Sequence, residues 1–96
     1  MKQEQTYPDV KMFIDGAWCD GSQGRSGAVL NPATGLAIGS VPHASVDDLD
    51  RALDSAWRGF NAWRKTSAFD RYKLMRAAAE KLRERAGEIA RILTLE

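Results

Sequence analysis

The 96-residue sequence contains a single cysteine, Cys19, and a single histidine, His43. One cysteine excludes an intrachain disulfide, and the two residues together are too few for a zinc site of the finger type. Long apolar runs are also missing. No segment approaches the roughly 20 residues of a transmembrane helix, and the N-terminus lacks the apolar stretch of a signal peptide. These absences favour a protein of the reduced cytoplasm.

An excess of one charge sign is missing as well. The 14 Lys and Arg residues and the 13 Asp and Glu residues give a net charge of +1. This balance indicates neither nucleic acid nor a membrane as a partner. With 44% hydrophobic and 28% charged residues, the composition is that of a soluble globular protein. The length allows at most one small domain with a modest core.

Residues 1–44 hold all three prolines and six of the eight glycines, and they predict strands and turns. Two short strand-like runs at 12–14 and 17–19 flank Asp15-Gly16, a pair that favours a type I′ hairpin. A flexible connection from Gly21 to Gly27 follows. Two further strands are predicted at 28–30 and 37–41, and Asn31-Pro32-Ala33-Thr34-Gly35 between them predicts a chain reversal.

Residues 45–96 change to a helical period and predict two amphipathic helices. Ser45 and Asp48 indicate a capping box for the first, with expected ion pairs Asp47–Arg51 and Asp54–Arg58. The apolar face of this first helix comprises Val46, Leu49, Leu53, Ala56, Trp57, Phe60 and Trp63, and its tryptophans are interpreted as core side chains.

Thr66-Ser67 ends this helix and caps the second, and Gly87 is a candidate position for a kink. The apolar face of the second helix comprises Met75, Ala78, Ala79, Leu82, Ala86, Ile89 and Leu93. No stop signal follows Leu95, so the helix is expected to continue past Glu96.

Three features suggest chemistry and have simpler explanations. The segment from Gly21 to Gly27 lacks the Lys-Ser/Thr and the following helix of a phosphate loop, so it is interpreted as a plain loop. Cys19 lies in a predicted strand where a buried structural thiol is expected, and His43 is interpreted as a loop residue. The basic residues of the second helix alternate with acidic ones, which favours a solvated face over nucleic-acid binding. The residues alone therefore predict a small α+β segment with surplus apolar surface and no catalytic constellation.

A family resemblance is carried by an ordered set of segments. They are Phe13-Ile14-Asp15-Gly16-Ala17-Trp18, Asn31-Pro32-Ala33-Thr34-Gly35, Val41-Pro42 before a helix from Val46, Ser67 with Arg71, and Leu93-Thr94-Leu95-Glu96. From about Met12 to Glu96 the chain resembles the N-terminal end of the aldehyde dehydrogenase superfamily. Within this superfamily it resembles the bacterial semialdehyde dehydrogenases.

The resemblance implies an α/β parent fold in which residues 1–96 form the N-terminal part of a Rossmann-like coenzyme-binding domain, truncated at the C-terminal side. It implies an enzyme that oxidises an aldehyde to a carboxylic acid with NAD or NADP. The implied partners are the remainder of the enzyme, the aldehyde substrate and further copies in a homo-oligomer, without nucleic acid or membrane.

The same resemblance places the family's nucleophilic cysteine, its glutamate and its coenzyme-binding strands beyond Glu96. No catalytic, cofactor-binding or metal-binding residue is therefore assigned in this chain, and Cys19 does not match the nucleophile's motif. Some members hold a monovalent cation near positions that match Val29 and Glu96, which we do not assign as a site. The 96 residues alone are expected to be inactive and to bind neither NAD nor NADP. The alternative is an independent protein-binding module that uses an apolar helical face.

Overall fold

The computed structural model describes residues 7–96, which form two antiparallel β-hairpins followed by three helices. The strands are β1 (Met12–Ile14), β2 (Ala17–Cys19), β3 (Ser26–Leu30) and β4 (Ala37–Pro42), and the helices are α1 (Val46–Trp63), α2 (Ala68–Glu84) and α3 (Ala86–Leu95). Strand β1 pairs with β2, and β3 pairs with β4. The predicted α+β class of the segment is confirmed. The prediction of two helices is wrong, because the structure has three.

Both predicted reversals are confirmed. Asp15 and Gly16 have φ angles of 53° and 77°, the positive values that a type I′ turn requires at its two central positions. In the second reversal the Asn31 side chain accepts a hydrogen bond of 2.9 Å from the Ala33 amide. Gly35 takes a φ of 73° and its amide donates to the Asn31 carbonyl. Local turn chemistry therefore fixes both hairpins.

The second hairpin is longer than predicted, because β3 begins at Ser26 and β4 ends at Pro42. The ladder continues through Gly27, which pairs with Val41. A Cβ atom at Gly27 would lie 2.6 Å from the His43 Nε2 atom, so the glycine leaves room for this ring. The His43 amide extends the pairing by donating to the Arg25 carbonyl at 2.8 Å.

The break in the second predicted helix lies at Arg85 rather than at Gly87. Arg85 has φ −108° and ψ 14°, and its amide donates to the Leu82 carbonyl three residues back. The helical hydrogen bonds resume when the Ile89 amide donates to the Arg85 carbonyl at 3.0 Å. Gly87 lies inside α3 without a positive φ, so its conformational freedom is not used.

The buried side chain of Asp48 joins the loop after β2 to the start of α1. Its Oδ2 atom accepts hydrogen bonds of 2.9 Å from the amides of both Ser22 and Ser45, and its Oδ1 atom accepts one of 3.0 Å from the Arg51 guanidinium. The Asp48 amide donates to Ser45 Oγ, which completes the predicted capping box. The segment from Gly21 to Gly27, expected to be flexible, is thus attached to a helix end.

These hydrogen bonds also fix the charge of Asp48. The amides of Ser45 and Ser22 and the Arg51 side chain hold the pKa of this carboxyl well below its usual range, in spite of burial. Arg51 therefore pairs with Asp48 rather than with Asp47, and Arg58 reaches Asp15 in the β1–β2 turn at 3.4 Å rather than Asp54. Both expected ion pairs within α1 are replaced by these contacts.

The described residues bury little apolar surface. Among residues 7–96, the buried hydrophobic side chains are Ile14 and Leu95. Helix α1 contacts β1, and its less exposed side chains, Ala52 and Ser55, lie one and two turns beyond Asp48. The radius of gyration is 17.2 Å, against roughly 12.5 Å for a compact domain of this length.

We predict that Asp48→Asn speeds hydrogen exchange at the amides of Ser22 and Ser45, because a neutral amide oxygen is a weaker acceptor than a carboxylate. Asp47→Asn is the matched control, since it removes the same charge from the same helical turn at an exposed position. The ionised form of Asp48 is stabilised, so the protection is complete at neutral pH and is lost as the pH falls through the lowered pKa of the folded state. Amide exchange followed by NMR tests this, and equal effects of the two variants would contradict it.

A second prediction concerns Gly21, where an added Cβ would lie 2.2 Å from the His43 carbonyl oxygen. Gly21→Ala should displace this backbone at a cost of about 1–3 kcal/mol and speed exchange of the His43 amide by on the order of tenfold or more. Gly59→Ala is the control, because open space surrounds that helical position. It should instead stabilise α1 by about 0.5–1 kcal/mol. An unchanged His43 amide in Gly21→Ala would refute the prediction.

Candidate functional site

The most prominent surface of the molecule is an uncovered apolar face of α1. This α1 stripe consists of Val46, Leu49, Leu53, Trp57 and Phe60, which share one side of the helix. Leu53 is 60% exposed and Trp57 is 64% exposed. The sequence therefore identified the stripe correctly, but its interpretation of Trp57 and Trp63 as core residues does not hold within residues 7–96, where both are exposed.

A second uncovered face runs along α2 and α3. This α2–α3 stripe consists of Met75, Ala78, Leu82, Ala86, Ile89 and Leu93. Met75, Leu82 and Leu93 are exposed and Ile89 is half-buried. A shallow, open groove between the two helices is lined by Leu82, Ala86, Ile89 and Leu93 and is almost wholly apolar. Its open shape suits packing against another secondary-structure element better than enclosing a small molecule.

The exposed area of the whole chain agrees with this description. The chain exposes 7961 Å², whereas a compact monomer of 10.6 kDa exposes about 5,500 Å². Contiguous exposed apolar patches of more than a few hundred Å² mark interaction surfaces in soluble proteins. The two stripes are therefore the candidate functional surface of the described residues.

The glycine-rich loop is not available as an anion site. The Ser22 amide already donates to the Asp48 carboxylate, and the Ser22 hydroxyl is hydrogen-bonded to that of Ser45. A phosphate placed at this helix end would meet the buried negative charge of Asp48. The interpretation of the segment as a structural loop is supported.

Cys19 and His43 have separate environments. Cys19 is half-buried at the end of β2, where its thiol lies beside the Arg51 guanidinium. The Asp48 carboxylate, which accepts a hydrogen bond from Arg51, raises the pKa of this guanidinium. His43 is exposed in the loop between β4 and α1 and lies against Gly27, as expected of a loop residue. The two residues thus lie in different elements, one in β2 and the other in the loop after β4.

Charged residues on α2 and α3 form the mixed surface that the sequence predicts. Lys73 pairs with Asp70, Arg83 with Glu80 and Arg85 with Glu88, all three residues apart. Glu96 accepts a hydrogen bond from the hydroxyl of Tyr7, which raises the pKa of that tyrosine. Within residues 7–96, no group of three or more His, Cys, Asp or Glu side chains is placed to hold a metal ion.

Between residues 7 and 96, no helix is both long enough and apolar enough to cross a bilayer. The apolar residues of α1 form a stripe bordered by Asp50, Asp54 and Arg58 rather than a continuous surface. This pattern is typical of a helix that packs on one side.

Comparison with known proteins identifies relatives of this arrangement. The sequence profile of the aldehyde dehydrogenase family matches residues 18–96. The chain is 36% identical over 91 residues to the acylating, mitochondrial methylmalonate-semialdehyde/malonate-semialdehyde dehydrogenase of Mus musculus, covering 95% of this chain and 17% of the relative. It is 38% identical over 87 residues to malonate-semialdehyde dehydrogenase 2 of Shouchella clausii strain KSM-K16, covering 91% of this chain and 18% of the relative.

The chain thus spans less than a fifth of the length of these two relatives. The match begins within β2 and includes both the second hairpin and all three helices. It therefore covers the elements that carry the two apolar stripes. The chain belongs to the aldehyde dehydrogenase family.

Proposed function

We propose that this chain forms the N-terminal part of the coenzyme-binding domain of an NAD- or NADP-dependent aldehyde dehydrogenase. Its function there is structural: the α1 stripe and the α2–α3 stripe cover apolar surface of a Rossmann-like sheet supplied by the rest of the subunit. The observation that carries this proposal is the exposure of these stripes, with Leu53 60% and Met75 64% exposed. Burial of such side chains contributes about 25 cal/mol per Å² of apolar area.

The proposed substrate is a semialdehyde, a short aldehyde with a carboxylate at its other end. This proposal is supported by the names of the two relatives, both of which are malonate-semialdehyde dehydrogenases. In the proposed reaction a thiolate adds to the aldehyde carbon and hydride passes to the nicotinamide, which leaves a thioester. Hydrolysis of the thioester gives the carboxylic acid. An acylating enzyme, as the mouse relative is named, passes the acyl group to another acceptor.

No residue of this chain takes part in the proposed chemistry. Cys19 is half-buried beside the Arg51 guanidinium in a hairpin, and it does not match the motif of the family's nucleophile. The assignment of no catalytic, cofactor-binding or metal-binding residue stays a prediction. Homo-oligomer formation and a cytoplasmic location also stay predictions, and the name of one relative places that protein in the mitochondrion.

The alternative is an independent binding module that docks a partner protein on the same stripes. The open, almost wholly apolar groove at α2 and α3 suits either role. The two functions differ in whether the chain completes an enzyme. A module would bind its partner without restoring oxidation of any aldehyde.

The proposal predicts that an exchanged enzyme is active. In this enzyme the matched 87 residues of the Shouchella clausii relative are replaced by those of the present chain. With malonate semialdehyde as substrate, this enzyme should reduce NAD or NADP, which is measured as an increase in the absorbance of the reduced coenzyme. Activity is expected because the replaced segment contributes packing rather than reacting groups. The purified 96-residue chain should reduce neither coenzyme. A soluble but inactive exchanged enzyme, or activity of the chain alone, would contradict the proposal.

Within the exchanged enzyme, Leu53→Lys should lower the yield of active subunit by on the order of tenfold or more, because it would bury an unpaired charge. Asp54→Lys is the matched control, since it introduces the same side chain one residue later, about 100° around α1 at the exposed polar border of the α1 stripe. Soluble yield and specific activity together separate folding from chemistry. Equal losses in the two variants would mean that the α1 stripe is not covered.

A further inference from the structure

Tyr7 lies between the second hairpin and the end of α3. Its hydroxyl donates a hydrogen bond to the side-chain carboxylate of Glu96, which directly follows α3 and lies 89 positions later in the chain. Its ring packs on the backbone of β4 at Gly39, where an added Cβ atom would lie 2.7 Å from the ring Cδ1 atom. One side chain from the segment before β1 thus contacts both a strand and a helix end.

Gly39 leaves the space that the Tyr7 ring occupies. Gly39 pairs with Val29 within the β3–β4 ladder, and its φ angle is not positive, so its own backbone conformation does not require a glycine. A side chain at this position would meet the ring at 2.7 and 3.1 Å, closer than the roughly 3.5–4.0 Å of a normal contact between carbon atoms. Glycine inside a strand often marks such a close approach, and here the approaching group is the phenol ring.

The start of α3 does little to fix the direction of this helix. Within the described residues, no side chain caps the start of α3 with a hydrogen bond, and Gly87 in its first turn is surrounded by open space. With 10 residues, α3 is also shorter than the roughly 12–15 residues at which an isolated helix becomes even marginally stable. The orientation of α3 therefore depends on contacts farther along the helix.

The C-terminal end of α3 supplies such contacts. Leu95 is 5% exposed and is one of the two buried hydrophobic side chains among residues 7–96, whereas Leu93 on the α2–α3 stripe is 66% exposed. The two residues lie about 200° apart around the helix. The end of α3 thus has one side packed within the chain, next to the Glu96 carboxylate that Tyr7 contacts, and another side that is uncovered.

We propose that Tyr7 is a strap that fastens the C-terminal end of α3 to the second hairpin and so sets the direction in which the α2–α3 stripe faces. The packing of the ring on Gly39 fixes where the phenol lies on the strand, and the hydrogen bond to the Glu96 carboxylate fixes the helix end against the phenol. A hydrogen bond to a charged acceptor suits this role, because it is both directional and stronger than one between neutral groups. The strap uses only residues of this chain and does not depend on the proposed function.

Amide hydrogen exchange in the last turn of α3 tests the hydrogen bond. Tyr7→Phe keeps the ring but removes the donor, so exchange at residues 92–95 of the full chain should become faster by on the order of threefold or more. Tyr72→Phe is the matched control, since it removes the same hydroxyl from a side chain on α2 that is 56% exposed. Equal exchange rates in the two variants would overturn the proposal.

The ring contact has its own test. Gly39→Ala should displace the Tyr7 ring, so that nuclear Overhauser effects between the ring protons and residue 39 are lost and residues 92–95 again exchange faster. Gly87→Ala is the control, because it makes the same substitution inside α3 where no atom lies within 4 Å of the added Cβ. An unchanged ring contact in Gly39→Ala, or no such contact in the unmodified chain, would overturn the proposal.

A titration provides a measurement that general loss of packing would not imitate. In Tyr72→Phe, Tyr7 is the only tyrosine of the chain, so its ionisation can be followed by ultraviolet absorbance. The hydrogen bond to Glu96 raises the pKa of Tyr7, and Glu96→Ala in this background should therefore move the titration to lower pH. An unchanged titration would overturn the proposal. If Gly39→Ala yields no soluble protein, the exchange rates of Tyr7→Phe and this titration still decide.

Discussion

The three helices carry apolar sides that residues 7–96 leave uncovered. A helix with one apolar side is stable in a protein when that side packs against another element, because propensity alone contributes little over such lengths. In residues 7–96 the side of α1 near the hairpins carries Asp48, Ala52 and Ser55, whereas Leu53 and Trp57 lie on the other side. The hairpins therefore contact α1 without covering it.

Local polar interactions hold the described elements together in place of a core. The Asp48 carboxylate accepts from two amides and a guanidinium and so attaches the loop after β2 to the start of α1. Arg58 reaches the turn of the first hairpin at Asp15. Directional interactions of this kind define geometry, but each contributes modestly to the net free energy of folding. In the proposed enzyme, burial of the stripes would supply most of the stabilisation.

The sequence predicted those elements whose cause lies within a few residues. Asp15-Gly16 specifies a turn, Asn31 and Gly35 specify another, and Ser45 with Asp48 specifies a helix start, since each depends on backbone geometry that one or two side chains control. The apolar stripe of α1 was equally visible, because its period follows from the helix itself.

The sequence did not predict features that depend on contacts between distant residues. The hydrogen bond from Ser22 to Asp48 spans 26 residues, and the fit of His43 against Gly27 required the fold of the whole second hairpin. The helix break at Arg85 was displaced from Gly87 because the glycine lowers helix propensity without fixing where the helix ends. For the candidate surface, the pattern identified which side chains are apolar, but it did not reveal the isolated Nε of Arg71, which depends on side-chain burial.

This difference between pattern and burial bears on how such a segment is positioned in an enzyme. Hydrophobic burial is not directional, so the α2–α3 stripe alone would tolerate a covering element that is shifted along the helix. A shift by one helical turn moves the contact by about 5.4 Å while burying a similar apolar area. In the proposed enzyme the apolar residues would therefore supply the stability of the joint, and its register along the helix would have to come from directional contacts.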